Sequence, residues 1–473
     1  MVQETILISR LELTGIFNSI KDISVYSDYL EDTTAKTKLN KAISLHEAII
    51  YGVGVILGAG IYALLGEAAG IAGNATWLAF VVGAVIAGFT AFSYTELSSI
   101  FPRTAAEFVY VKNSTKSKFL AFIVEYIVFL SLVFSAAAVS FAFGGYFNNM
   151  FGTGIMLTAA GSIILLTLLN FVGIKESAKF NIISTVIEAG GLLLIIILGL
   201  SFFGSVNYFE VPSGGTDFAD LALPIFGATV LVFFAYQGFE ELANLTEETR
   251  NSSRNIPIAI LVALGITTVL YILVSIAAVS IVPYAELSAS EAPLALVAEK
   301  AAGIGSVLGI IALFATANTV LILLISSSRM IYGMAQQGVI PKIFSGVHRK
   351  RKTPLYAIGF SSLIALVFLF FINDLTNLAM LTNMAIFISF FSVNASLILI
   401  RFSKEKFEAP FRAPFNIGRL PVTAVLGCLS CLIMLPGLLG PMNIMGFEVP
   451  LLIVGALIML IGVPIYFFGN KQA

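Results

Sequence analysis

Apolar runs long enough to cross a lipid bilayer recur along this chain, and they leave it few folds. Hydrocarbon offers the backbone no hydrogen-bonding partner, so a crossing segment must close its hydrogen bonds within the protein. A spanning helix needs about 20 mostly apolar residues. Such runs lie at 45–66, 74–100, 118–147, 154–173, 179–203, 219–243, 256–282, 303–334, 354–373, 376–401, 420–440 and 448–468. Turn and charge signals separate them, among them Pro102-Arg103, Gly173 to Lys175, Asn251 to Pro257, Arg349 to Lys352 and Pro410 to Pro414. Only 11% of the 473 residues are charged, against roughly a quarter in a soluble domain. The expectation is an all-α integral membrane protein of twelve transmembrane helices, with residues 43–473 as one transmembrane domain.

Charge orients it. Cytoplasmic loops collect Lys and Arg. With the N-terminus inside, every basic residue but Lys300, of 26 in all, falls in an inside segment or an adjoining helix end. The outer loops instead carry Glu210, Asp217, Glu286, Glu291, Asp374 and Glu448. A different helix count would scramble this alternation, so both termini are expected in the cytoplasm and the chain in a cell (plasma or inner) membrane. Residues 1–42 mix charges with scattered apolar positions and have no apolar core followed by a small-residue cleavage site. They read as a cytosolic segment, either a surface amphipathic helix or a partly ordered tail.

The net charge of −1 gives no basic field for nucleic acid. Cys428 and Cys431 are three apart in an apolar run, and His46 and His348 lie in distant segments. A zinc site needs about four ligands, so no metal and no cofactor is expected. The same scarcity of nucleophile–base pairs argues against an intramembrane enzyme. A channel would need polar or charged rings repeated along a pore, and only isolated groups occur.

Two runs contain glycine where a helix prefers other residues. The first holds Gly52, Gly54, Gly58, Ala59, Gly60, Ile61 and Tyr62; the sixth holds Phe233 to Tyr236, then Gln237, Gly238, Phe239 and Glu240. They occupy matching places in two successive five-helix halves, about 45–203 and 219–401, with extra helices at about 420–468. Glycine weakens a helix by about 1 kcal/mol relative to alanine. Backbone freed from a helix in lipid must meet a cavity or a ligand, and paired interruptions point to a transporter site. A half-helix N-terminus carries about half a positive charge, which suits a carboxylate, and the opposing carbonyls suit an ammonium. A zwitterionic amino acid matches both ends. Close helix packing is the competing explanation for Gly54 and Gly58.

These residues resemble the amino acid–polyamine–organocation permeases over about residues 43–415. Gly52 to Tyr62 is similar to the family's glycine-rich first helix. Glu96-Leu97 with Phe101 to Arg103 and Phe108 to Lys112 resembles its second-helix exit, although Ala106-Glu107 stands where the family often has a small-glycine pair. Phe233 to Glu240, followed by Glu247 to Asn251 and Arg254 to Pro257, is the most specific match. Ser328 to Ala335, with Gly338 to Pro341 and Thr353-Pro354, resembles the exit of the eighth helix. The resemblance implies a LeuT-like inverted repeat of five plus five helices and alternating access around a midplane site. By position it implies Gly58, Ala59, Gly60 and Ile61 at the substrate carboxylate. Phe234, Ala235, Tyr236 and Gly238 would line the amine end and side-chain pocket, with Phe234 either an aromatic gate or one more packed ring.

Charges inside spans are costly; Glu125, Glu188 and Glu240 are the candidates. Proton-coupled relatives often have a lysine where this chain has Glu188. The carboxylate leaves three readings: a titrating proton site, a ligand of Na⁺ together with Val53, Ile56 and Thr316 or Thr319, or a protonated interhelical hydrogen bond. Glu240 is a gate or proton site. The function expected is secondary active transport of amino acids, proton-coupled, with neutral or apolar substrates favoured. A sodium symporter, an amine or polyamine carrier, an exchanger and a solute-sensing receptor are the alternatives.

Overall fold

A computed structural model describes residues 43–103, 105–214, 217–348, 351–405, 407–444 and 447–469. The cytosolic segment expected at 1–42 lies outside the described residues. Eighteen helices follow one another: α1 Leu45–Leu57, α2 Gly60–Ala72, α3 Thr76–Ile100, α4 Ala106–Thr115, α5 Lys118–Phe151, α6 Ile155–Val172, α7 Ile174–Gly199, α8 Phe218–Val232, α9 Glu241–Asn244, α10 Ser252–Ile281, α11 Tyr284–Ser288, α12 Pro293–Ala302, α13 Gly305–Gln336, α14 Leu355–Ile372, α15 Leu375–Phe402, α16 Val422–Met434, α17 Leu451–Leu460 and α18 Gly462–Gly469. Local chemistry sets several ends. Ser44 and Glu47 form a reciprocal capping box at the start of α1. Asp374 accepts from the Asn377 amide at 2.7 Å and starts α15. Left-handed Gly152 stops α5.

Among the described residues, nine helical stretches are long and apolar enough to cross a membrane. One of them, Gly60–Ile100, contains both α2 and α3, joined by a 3₁₀ turn at Gly73–Ala75. Leu45–Leu57, Val422–Leu438 and Leu451–Phe467 are shorter apolar helices. Two antiparallel ribbons interrupt the helical pattern, Asn416–Ile417 with Leu420–Pro421 and Pro441–Ile444 with Phe447–Pro450. The surface helices α4, α11 and α12 fall between the expected spans. The apolar-run reading gave no sign of them, because each is short and mixed in polarity.

Burial grades outward from α5. Its apolar window is 83% buried, against 33% for Phe180–Phe202. Outer helices carry mostly uncovered apolar side chains, including Leu157 at 76%, Val186 at 70% and Leu165 at 66% exposure. A water-facing surface of that kind would aggregate; hydrocarbon is its natural solvent.

Polar bonds tie the inner helices together. Asn394 of α15 donates to Thr90 Oγ1 at 2.9 Å and accepts from Ser93 Oγ at 2.6 Å, both on α3. At the end of the same pair, Arg401 grips Glu96 with Nε and Nη2 at 2.5 and 2.6 Å, and the Ala413 amide donates to Glu96 Oε2 at 2.8 Å. Both side chains are buried. Removing one partner of such a pair strands the other charge and costs about 3–5 kcal/mol. Arg401→Ala should therefore lower unfolding stability in detergent by about that amount, and Glu96→Leu combined with Arg401→Met should recover part of it. An unchanged unfolding midpoint for Arg401→Ala would show that the pair contributes nothing.

Candidate functional site

The first helical run stops at Leu57 and restarts at Gly60. Between them Gly58 has φ +32° and Ala59 is helical. The sixth run leaves α8 through a 3₁₀ turn at Phe233–Tyr236, extends at Gln237, and turns sharply at Gly238 with φ +117° before α9. The two interruptions touch through their backbones. A Cβ on Gly60 would sit 2.5 Å from Ala235 Cα, and one on Gly238 would sit 3.0 Å from the Val55 carbonyl carbon. Only glycine permits both the left-handed turn at Gly238 and this approach.

Side chains from neighbouring helices satisfy the released backbone. Thr319 Oγ1 of α13 accepts from the Ala59 amide at 2.9 Å while donating to the Ala315 carbonyl at 3.0 Å. Tyr271 of α10 places its hydroxyl 2.5 Å from the Ile56 carbonyl, 2.9 Å from Leu57 and 3.0 Å from Ala235, so it spans both breaks. Asn383 of α15 donates to the Val230 and Leu231 carbonyls at 2.7 and 3.2 Å. Its Oδ1 in turn accepts from Gln237 Nε2 at 3.1 Å, and Gln237 Oε1 accepts from Ser135 at 3.3 Å. Glu240 Oε2 accepts from the Gly238 amide at 2.9 Å. The opening amides of α2 have no carbonyl of their own helix to meet, and they carry the positive end of its dipole.

These segments line a hollow of about 50 Å³, well below the roughly 300–1,000 Å³ of ligand pockets. Gly58, Ala59, Gly60, Phe234, Ala235, Gly238, Glu240 and Thr319 line it. Ile61 and Tyr236 do not. Both are fully buried beside it, and the Tyr236 hydroxyl is used on the Phe80 carbonyl at 2.7 Å. Val53 and Thr316 also lie off the lining, although Ile56 is on it. Thr316 donates to the Ala312 carbonyl at 2.7 Å.

Glu188 sits elsewhere. It is fully buried on α7, beside Asn318 of α13, and Tyr62 donates to its backbone carbonyl at 2.8 Å. Among the described residues neither of its carboxyl oxygens has a hydrogen-bond partner, nor do Ser184 Oγ and Asn318 Nδ2. Glu125 is likewise buried, with Oε2 unpartnered. The functional pattern missed in the sequence is the supporting set. Tyr271, Gln237, Asn383 and Ser135 are polar groups set within apolar runs, and that setting was the available signal.

The surface helix α4 closes the base of the sixth segment. Its Ala106 amide donates to Asn244 Oδ1 of α9 at 3.1 Å, and Tyr94 of α3 donates to Glu107 Oε1 at 2.7 Å. Burial raises the Glu107 carboxyl from 4.5 to about 7, opposed by the Tyr94 hydrogen bond.

A membrane-embedded helical bundle with two interrupted segments meeting at a small, mainly apolar hollow that also holds Ser135, Gln237, Glu240 and Thr319 has the build of a solute carrier. Residues 43–464 match the family profile described as Amino acid permease, and the chain belongs to that family, whose members are transporters and not enzymes. It is 30% identical to the methylthioribose transporter of Bacillus subtilis over 86% of this chain and 92% of that protein. A branched-chain amino acid permease of the same organism is 28% identical over 94% and 96%. The human cationic amino acid transporter 4 is 29% identical over 83% of this chain and 64% of its own length.

Two outcomes follow from the geometry. Gly60→Ala should cost about 1–3 kcal/mol by forcing the breaks apart. Gly88→Ala, within α3 and with open space around it, should instead gain up to about 1 kcal/mol; thermal unfolding of the two variants reads the contrast, and equal shifts would refute it. Separately, Glu107 binds its proton more tightly folded than unfolded, so its contribution is complete below pH 4.5 and is lost as pH rises through about 7. The difference between wild-type and Glu107→Gln unfolding midpoints should therefore change between pH 5 and 8, which a pH series of melting curves would test.

Proposed function

We propose that this chain carries amino acids across a cell membrane by alternating access. The observation that carries the reading is the meeting of two interrupted helices at the hollow, with the α2 amide end on one side and the carbonyls of the α8 exit on the other. A zwitterion's carboxylate and ammonium fit those two ends. Leu132, Ile322, Leu323 and Phe234 make one wall apolar, which favours neutral, apolar side chains, and the branched-chain permease among the relatives agrees. The small volume means that the segments separate to admit substrate.

Twelve spans in a five-plus-five repeat are the arrangement supported by the runs. The first is α1 with α2, the sixth α8 with α9, and the last two are the shorter apolar helices at 422–438 and 451–467. The single expected outer cation, Lys300, is paired with Glu286 at 3.0 Å on the α11–α12 surface, in keeping with both termini in the cytoplasm.

For coupling we favour a proton on Glu188. A buried carboxyl with no basic group among its neighbours in the described residues, and only the Asn318 amide beside it, is best accommodated neutral. The sodium version is weakened because Val53 and Thr316 lie off the hollow's lining and Thr316 donates to the Ala312 carbonyl.

Purified protein in vesicles should show counterflow of a branched-chain amino acid, and uptake should rise with an inward proton gradient. Glu188→Gln should lose the gradient dependence while keeping counterflow. No counterflow by the wild type would end the carrier reading. Uptake that needs Na⁺, with the requirement lost in Glu188→Gln, would move the site from proton to sodium.

A further inference from the structure

A second cavity, of about 540 Å³, lies between α5, α13, α14 and the α17–α18 segment. Its walls are carbon: Phe122 and Phe129 of α5, Met334 of α13, Phe344 of the 3₁₀ turn at Lys342–Ser345, Phe360 of α14, and Ile461. The polar atom among the lining side chains, the Tyr126 hydroxyl, is used on the Ile458 carbonyl at 3.3 Å. No zwitterion could be satisfied there, so this space is no branch of the substrate route. It reaches the outer surface, because Ile461 both lines it and is 51% exposed. What it meets there is lipid.

Its volume falls among ligand pockets, about 300–1,000 Å³. A partner helix, about 10–12 Å across with about 5.4 Å per turn, would overfill it within two turns. A single flexible hydrocarbon chain would not. Charge marks one end. Lys118 lies one turn before Phe122 on the same helix face, and Lys342 directly follows Pro341, which also lines the cavity. Both lysines are exposed. Among the described residues neither has an acidic partner within salt-bridge distance; Lys116, close by in sequence, is already paired with Glu405 at 2.9 Å. A dry bore flanked by two exposed lysines next to its lining residues is complementary to an amphiphile that is apolar along its length and anionic at its head.

We propose that this cavity holds one acyl chain of an anionic phospholipid, its phosphate at Lys118 and Lys342, drawn from the leaflet those lysines face. The same two helices wall both spaces. On α5, Leu132 and Ser135 face the small hollow while Phe129 and Leu130 face the lipid cavity; on α13, Thr319 and Ser326 face the one, Ile331 and Met334 the other. A lodged chain therefore packs against two helices that also wall the small hollow.

Native mass spectrometry of the full chain in detergent tests this, with dioleoyl phosphatidylglycerol and dioleoyl phosphatidylcholine competing. The expected result is one tightly retained phosphatidylglycerol, preferred on the order of tenfold given two lysines at the headgroup. Lys118→Gln with Lys342→Gln should bring retention down to the phosphatidylcholine level without disturbing the core. Met334→Trp should displace both lipids. Equal retention of the two lipids, unchanged preference in the double lysine variant, or a retained polypeptide in place of lipid would each overturn the proposal. The lysine variant carries the decision if Met334→Trp fails to fold.

Discussion

Lipid accepts and donates no hydrogen bonds, so each carbonyl and amide released where a helix stops must find its partner inside the protein. The two interruptions in this chain are possible because other helices bring those partners. Thr319 meets the Ala59 amide, Tyr271 meets carbonyls of both breaks, Asn383 meets the last carbonyls of α8, and Glu240 meets the Gly238 amide. Take these away and the interruptions become bare backbone in an apolar interior, at a cost of about 1–3 kcal/mol for each unsatisfied group. The site is thus a property of α10, α13 and α15 as much as of the segments that line it.

How much of this was readable in advance depended on whether the signal was local. Apolar length marks a span whatever it packs against, so the long helices stood out. Glycine at a break marks itself, and Gly58, Gly60 and Gly238 lie where the chain turns. Position within a motif says less about which way a side chain points. Tyr236 stands between lining residues in sequence, yet its ring leaves the hollow for the Phe80 carbonyl. Tyr271 resembles any aromatic in an apolar run until the fold sets its hydroxyl against three carbonyls. The short helices α4, α11 and α12 were passed over because a search by apolar length skips ten residues or fewer of mixed polarity.

Glu107 shows how a small departure from a family pattern acquires meaning only in three dimensions. Where relatives often have a small-glycine pair, this chain puts a carboxyl, and the fold buries it under Tyr94 at the base of the sixth segment. Glu188, Glu125 and Glu240 are buried too. Glu107, Glu125 and Glu240 come together near Glu241 from three separate elements, while Glu188 lies apart beside Asn318. Their placement follows from tertiary packing and could not be inferred from spacing along the chain.

The Tyr271 hydroxyl has one hydrogen and three acceptors within reach. At any instant two of the carbonyls of Ile56, Leu57 and Ala235 do without it. A rotation about the hydroxyl torsion moves the bond from one segment to the other. The junction is consequently held by a rotor and not by a fixed strut. Its two halves can exchange which of them is tied while the interior stays dry.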